Sequence, residues 1–185
     1  MIDTGTRLLI ALALAAVGVA VFACDSPDGG NGILRPAARA TPPAAAAREL
    51  GEGLHDDDAL GRLDPDLLDA VMAAAEDART AGVELLVASG WRSRAHQERL
   101  HEEAVDRYGS AEEASRWVAS PDFSAHVTGD AVDIGPTDGA LWMADHGSAY
   151  GLCQAFANEI WHYELLTTPG GRCPEMLPDS SSRER

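Results

Sequence analysis

Ser124-Ala125-His126-Val127-Thr128-Gly129-Asp130-Ala131-Val132-Asp133 sets an imidazole and a carboxylate seven residues apart, on either side of a glycine turn that leads into a strand. Residues 121–129 carry turn chemistry, and Ala131 to Ile134 reads as a short strand ended by Gly135-Pro136. Both side chains can therefore point at one centre. A second imidazole, His162, sits on a later apolar strand expected over Trp161 to Leu166, with Glu159 three residues before it at the strand's entrance. Two histidines and one carboxylate suffice to hold a catalytic zinc ion and leave a fourth position for water. A neighbouring carboxylate that does not ligate the metal can take the proton of that water, and Glu159 fits the task. His and Asp residues also serve as ordinary hydrogen-bonded side chains, so these residues taken alone leave both readings open.

Outward from this stretch the pattern predicts helices gathered around a few short strands. Asp64-Pro65 is an N-cap followed by proline at the first helical position, and Leu67, Leu68, Val71, Met72 and Ala75 recur at helical spacing up to Gly82. Val83 to Ala88 reads as a buried strand. Helices are expected over Ser93 to Tyr108, over Ser110 to Ala119 from the capping box Ser110-Ala111-Glu112-Glu113, and over Gly139 to Tyr150. The segment after Pro169 reads as loop, and residues 179–185 as a disordered tail. The fold class is α+β rather than an alternating parallel sheet.

The N-terminus specifies an export route. Leu8 to Ala23 is an apolar run without a charge, preceded by Arg7, and its sixteen residues are near the upper end of a secretory core and short of a comfortable membrane span. It ends in Val21-Phe22-Ala23-Cys24, which resembles a bacterial lipobox with an atypical Phe; the alternatives are an ordinary cleaved signal and an uncleaved anchor. Residues 1–24 are thus a signal or anchor, 25–47 a Pro-, Gly- and Ala-rich tether, and 48–178 the domain. Of the three cysteines, Cys24 lies at the membrane boundary and Cys153 and Cys173 inside the domain. In an oxidising compartment that pair is expected as a disulfide, worth about 3 kcal/mol for so short a loop; the alternative is two separate buried thiols.

A formal net charge of −16 excludes sequence-independent binding to nucleic acid, which depends on clustered Lys and Arg. At 185 residues the chain holds one ordinary domain plus its leader, and nothing in it calls for more than a monomer.

Three blocks carry a resemblance: Ser89-Gly90-Trp91-Arg92-Ser93 with Gln97, then Ser124-x-His126-x-x-Gly129-x-Ala131-x-Asp133, then Glu159-x-Trp161-His162-Tyr163. Together they resemble the VanY-type D-alanyl-D-alanine carboxypeptidases, in the zinc peptidase group that includes D-alanyl-D-alanine dipeptidases and the Hedgehog signalling domains. The likeness runs over roughly Arg48 to Leu166. It implies a small antiparallel sheet flanked by helices. It also implies one zinc ion on His126, Asp133 and His162, Glu159 as the base, and Arg92 stabilising the carbonyl oxygen as it gains charge. Gln97, Ser124, Ser93 and Trp91 are implied as substrate contacts. Many relatives carry Tyr where Trp91 stands and Pro where Ile160 stands, which leaves the ligands and base intact but alters the subsite walls.

The resemblance implies removal of the terminal D-alanine from peptidoglycan stem peptides by a metal-activated water, outside the cytoplasm of a bacterium. A D-Ala-D-Ala dipeptidase or a peptidoglycan endopeptidase would use the same metal site. A zinc-containing wall-binding module without turnover is the reading from another class, and the presence of Glu159 and Arg92 weighs against it.

Overall fold

The computed structural model describes residues 59–184. The apolar run, Cys24, the tether and residues 48–58 of the expected domain lie outside the described residues. Helix α1 (Pro65–Thr80) starts where the sequence predicts: Asp64 Oδ1 accepts from the amides of Asp66 and Leu67 at 2.8 and 3.2 Å, and Pro65 needs no such partner. One stripe of the helix, Leu67, Val71, Ala74 and Ala78, is buried. It packs against Val87, Val132, Ile134, Met143, Leu152 and Tyr163 to form the core. Each large side chain in that cluster contributes about 1.5–3 kcal/mol by leaving water.

The sheet is small and antiparallel throughout. Strands β1 (Leu86–Ser89), β2 (Ala131–Gly135), β3 (Leu152–Gln154) and β4 (His162–Leu165) lie in the order β1-β2-β4-β3. Strand alternation turns Val132, Ile134 and Tyr163 toward α1 and the core, and sets Asp133, His162 and Glu164 on the opposite face. The expected α+β class holds, with one face of the sheet for the core and the other for chemistry.

Several boundaries differ from expectation. β1 begins at Leu86 rather than Val83, because the Val83 amide is spent on the Ala78 carbonyl at 2.9 Å as the chain leaves α1. Helix α2 (Arg94–Tyr108) is capped by Ser93, whose side chain accepts from the His96 amide. The next helix, α3 (Ala111–Ala114), is only one turn long, although Ser110 caps it as the motif implies. Past it the Arg116 and Trp117 amides bond carbonyls only three residues back, and the Val118 and Ala119 carbonyls meet His101 and Gln97 of α2 at 2.8 and 2.7 Å. The 121–129 turn contains a one-turn helix, α4 (Ala125–Thr128). Helix α5 (Thr137–His146) starts earlier than expected and passes into a 3-10 turn, Gly147–Tyr150. β3 went unforeseen, since three residues are too few to show a period.

The tail expected to be disordered is ordered through residue 184. Ser180–Arg183 form a 3-10 turn in which Ser180 and Ser181 are buried. Ser180 Oγ donates to the Ser115 carbonyl at 2.6 Å, the Ser120 amide donates to Glu184 Oε1 at 3.2 Å, and Arg116 meets Asp179 at 3.5 Å. The polar composition that suggested disorder is satisfied by partners on the 115–120 segment, which composition cannot reveal. The Cys153 and Cys173 sulfurs lie at bonding distance, 1.98 Å, with the Cα atoms 5.7 Å apart.

Candidate metal centre

His126 is carried on α4, and Gly129 makes that placement possible. Gly129 has φ +89°, and a Cβ there would collide with the Arg62 carbonyl oxygen, so the turn from α4 into β2 requires glycine. The His126 Nδ1 bonds the Gly90 carbonyl at 2.8 Å. A carbonyl only accepts, so Nδ1 carries the proton and Nε2 is left as the lone-pair nitrogen. Nε2 faces Asp133 Oδ1 at 3.3 Å.

Asp133 on β2 and His162 on β4 are direct partners across the antiparallel ladder. Such partners project to the same side of the sheet with their Cβ atoms close together. His162 Nδ1 accordingly lies 3.2 Å from Asp133 Oδ1, while its Nε2 meets Glu164 Oε1 at 2.8 Å. One ligand atom from each of His126, Asp133 and His162 falls within 4.8 Å of the other two. His126 and His162 are buried, and Asp133 nearly so.

Arg92 holds the other side of Asp133. Its Nη2 donates to Asp133 Oδ2 at 2.6 Å, Nε to Ser89 Oγ at 2.8 Å and Nη1 to Gln97 Oε1 at 3.2 Å. Gln97 is fully buried, and its amide nitrogen is tied to the Ala119 carbonyl. The aspartate thus offers Oδ1 to the centre and Oδ2 to a guanidinium.

The electrostatics follow from burial and from these contacts. Burial lowers His126. Burial works to raise Asp133, but His126, His162 and Arg92 overrule it and hold the carboxyl well below the usual range. Burial would lower His162 too, yet Asp133 and Glu164 push it up to about 9 in the metal-free chain. Glu159 lies beside this cluster, with Oε2 4.0 Å from His162 Nδ1. Burial, with the Asp133 charge adding to it, pushes its carboxyl up to about 7 against the pull of His162, Arg92 and Arg183. Its Oε1 is buried without a hydrogen-bond partner.

That orphaned oxygen and the chemistry of the donor set are the test of whether a metal fits. Two imidazoles and a carboxylate on a buried wall are a zinc donor set, and a buried carboxylate oxygen left unpaired is costly unless something polar completes it. The residues fit a zinc ion.

The residues implied as substrate contacts are placed less uniformly. Ser124 is buried at the start of α4 and makes no cap hydrogen bond. Ser93 is spent on capping α2. Trp91 packs against the core, donates Nε1 to the Val127 carbonyl at 3.0 Å and lies under the Arg62 guanidinium at 4.4 Å. The sequence reading passes over Glu164, the partner of His162. The available signal is its position two residues after His162 on one strand, which puts both on the same face.

Among curated proteins, the chain is 33% identical over 131 residues to a D-alanyl-D-alanine carboxypeptidase of Enterococcus faecalis (strain ATCC 700802 / V583), a match covering 57% of this chain. It spans only 47% of that relative's length. Two solved structures align at 26% identity with a TM-score of 0.53. One is a vancomycin-resistance D,D-pentapeptidase VanY from a VanB-type resistance cassette in complex with Zn(II), covering 56% of this chain and 72% of its own. The other is VanYB in complex with D-alanine-D-alanine, covering 55% and 70%. The LdcB LD-carboxypeptidase aligns at 25% identity and a TM-score of 0.50, covering 57% and 59%. Residues 61–167, more than half of the chain and the span that holds every donor described above, match the family model for VanY, D-alanyl-D-alanine carboxypeptidase, and the chain belongs to that family.

Proposed function

We propose that the chain is a zinc-dependent D-alanyl-D-alanine carboxypeptidase that removes the terminal D-alanine from peptidoglycan stem peptides outside the cytoplasm. The observation that carries this reading is the buried His126–Asp133–His162 donor set beside the unpaired Oε1 of Glu159. The relatives solved with Zn(II) and with D-alanine-D-alanine support the metal and the substrate class.

Zinc held by these three residues would polarise the scissile carbonyl and lower the pKa of water toward neutrality. Glu159 stays off the metal: its Oε1 takes the proton of the attacking water and later returns it to the leaving amine of D-alanine. Arg92 has five N–H groups, of which three are spent on Ser89, Gln97 and Asp133, so donors remain for a substrate oxygen that gains charge. Gln97, with both ends of its amide engaged, contributes by holding Arg92. Ser124, whose hydroxyl caps nothing, is the better candidate for a direct substrate contact.

The apolar run Leu8 to Ala23, Cys24 and the Cys153–Cys173 geometry support an exported domain, lipid-anchored through Cys24 on the outer face of a bacterial membrane. The mass of the protein extracted from membranes tests the lipid.

The activity is tested by incubating the zinc-loaded chain with stem pentapeptide, stem tetrapeptide and D-Ala-D-Ala and identifying the fragments. Release of one D-alanine from the pentapeptide is expected. Cleavage of the tetrapeptide alone would favour an L,D-carboxypeptidase, as the likeness to LdcB allows. Zinc bound one to one without cleavage of any stem peptide would make the chain a wall-binding module instead.

A further inference from the structure

The C-terminal segment reaches the metal centre through one side chain. Arg183, in the 3-10 turn Ser180–Arg183, donates Nη2 to Glu164 Oε2 at 2.7 Å. The other oxygen of that carboxylate, Oε1, meets His162 Nε2 at 2.8 Å. The same guanidinium lies 4.8 Å over the Phe156 ring, whose centroid is 5.0 Å from that of His162. Arg183 therefore bears on His162 by two routes, a carboxylate bridge and an aromatic layer. Glu164 and His162 are both buried, so neither contact is a surface accident.

The segment is fastened where such a role needs it to be. The Leu177 amide donates to the Ala155 carbonyl at 2.9 Å and the Ala157 amide to the Leu177 carbonyl at 2.8 Å, pairing the chain beside Phe156. Further along, Ser180 Oγ is bonded to the Ser115 carbonyl, and Glu184 accepts from the Ser120 amide.

We propose that Arg183 is a positioning residue for the metal ligand His162, acting through Glu164 and Phe156. The inference rests on the zinc reading given above. A carboxylate with one oxygen held by a charged guanidinium N–H and the other on His162 Nε2 is tied at both ends, which keeps Oε1 on the imidazole. That keeps the proton on Nε2, leaves Nδ1 as the lone-pair nitrogen facing Asp133, and fixes the plane of the ring. Without Arg183, Glu164 is a buried carboxylate with a single partner and turns toward water. His162 then loses the contact that sets both its tautomer and its orientation. Residues 180–185 lie beyond the span that the family model matches, 61–167, so this support is supplied by the chain's own extension.

The test uses the full chain, with zinc affinity measured by competition against a chromophoric chelator and the visible absorption of the cobalt(II)-substituted protein read alongside. Arg183→Ala and Arg183→Met are expected to weaken zinc binding roughly 10–100-fold and to shift the cobalt bands, with the far-ultraviolet circular dichroism unchanged. Arg183→Lys, which keeps the charge but not the fork, should recover part of the affinity. Glu164→Gln, whose side-chain carbonyl can still accept from Nε2, should fall between wild type and Arg183→Ala. Zinc affinity and cobalt bands in Arg183→Ala within twofold of wild type would overturn the inference while leaving the proposed function standing. A wild-type chain that binds no zinc would overturn both. Normal zinc and cobalt behaviour without D-alanine release would overturn the proposed activity alone.

Discussion

Asp133 stands directly opposite His162 in the β2–β4 ladder, and this pairing is what turns two residues 29 positions apart into neighbours with 3.2 Å between Nδ1 and Oδ1. A slip of one residue in that register would send one of the two to the core face and dissolve the centre. The register is held by Val132, Ile134, Tyr163 and Leu165, which must meet α1 and the core on the other side. Hydrophobic packing on one face of the sheet thereby fixes the geometry of the candidate metal site on the other.

Zinc should stabilise the folded chain. At free zinc of about a thousand times its dissociation constant the gain is about 4 kcal/mol, read as a rise in melting temperature that a chelator reverses. His126→Ala should abolish most of that rise and the release of D-alanine with it. An equal rise in the variant would show that the ion binds elsewhere.

Glu159→Gln removes the proton acceptor while keeping the shape. Turnover should fall roughly 10²–10⁴-fold, with the zinc content, measured by elemental analysis, still near one per chain. Turnover within a few-fold of wild type would remove Glu159 from the mechanism.

Arg92→Ala strips the partner from Asp133 Oδ2 and leaves a largely buried carboxylate short of one hydrogen bond. In the metal-free chain this should cost about 3 kcal/mol, measured by urea unfolding, because no ion compensates the loss. Arg92→Lys should recover only part of it, since an ammonium group cannot serve Ser89, Gln97 and Asp133 together in fixed directions. Equal stability of Arg92→Ala and wild type would show that solvent reaches Asp133 freely.

Gly129→Ala forces a side chain into a left-handed position, costing roughly 1–2 kcal/mol before the clash with the Arg62 carbonyl is counted. Because the same turn carries His126, zinc affinity should drop together with the melting temperature. A variant that loses stability but keeps full zinc affinity would mean that α4 can shift without moving the imidazole.

The Cys153–Cys173 bond should appear as a linked pair of peptides in a non-reduced digest. Its reduction should lower stability by about 3 kcal/mol. Free thiols at both positions in the exported protein would contradict it.

Much of the site is legible without coordinates because its chemistry is local in type. Only a few side chains bind zinc or move protons, and His126, Asp133, Glu159 and His162 are such residues in recognisable blocks. Asp64-Pro65 marks the start of α1 for the same reason, since capping is settled within three residues. Other features depend on partners far along the chain. The segment after Ala114, predicted to continue the helix from Ser110, instead leaves it, and its Val118 and Ala119 carbonyls meet His101 and Gln97, 17 and 22 residues away.

The candidate ligands and base, in blocks that resemble the family, together with the turn glycine and the start of the first helix, were thus legible in the sequence alone, because residue type, motif spacing and capping involve neighbours within a few residues. Only the tertiary structure decided which nitrogen of each histidine faces the centre, that Arg92 grips Asp133 and Gln97 grips Arg92, and that a polar tail returns to place Arg183 on Glu164. Those facts depend on strand register and on contacts between distant segments, 41 residues apart for Arg92 and Asp133 and 65 for Ser115 and Ser180, and only packing of the whole domain brings such groups within hydrogen-bond reach.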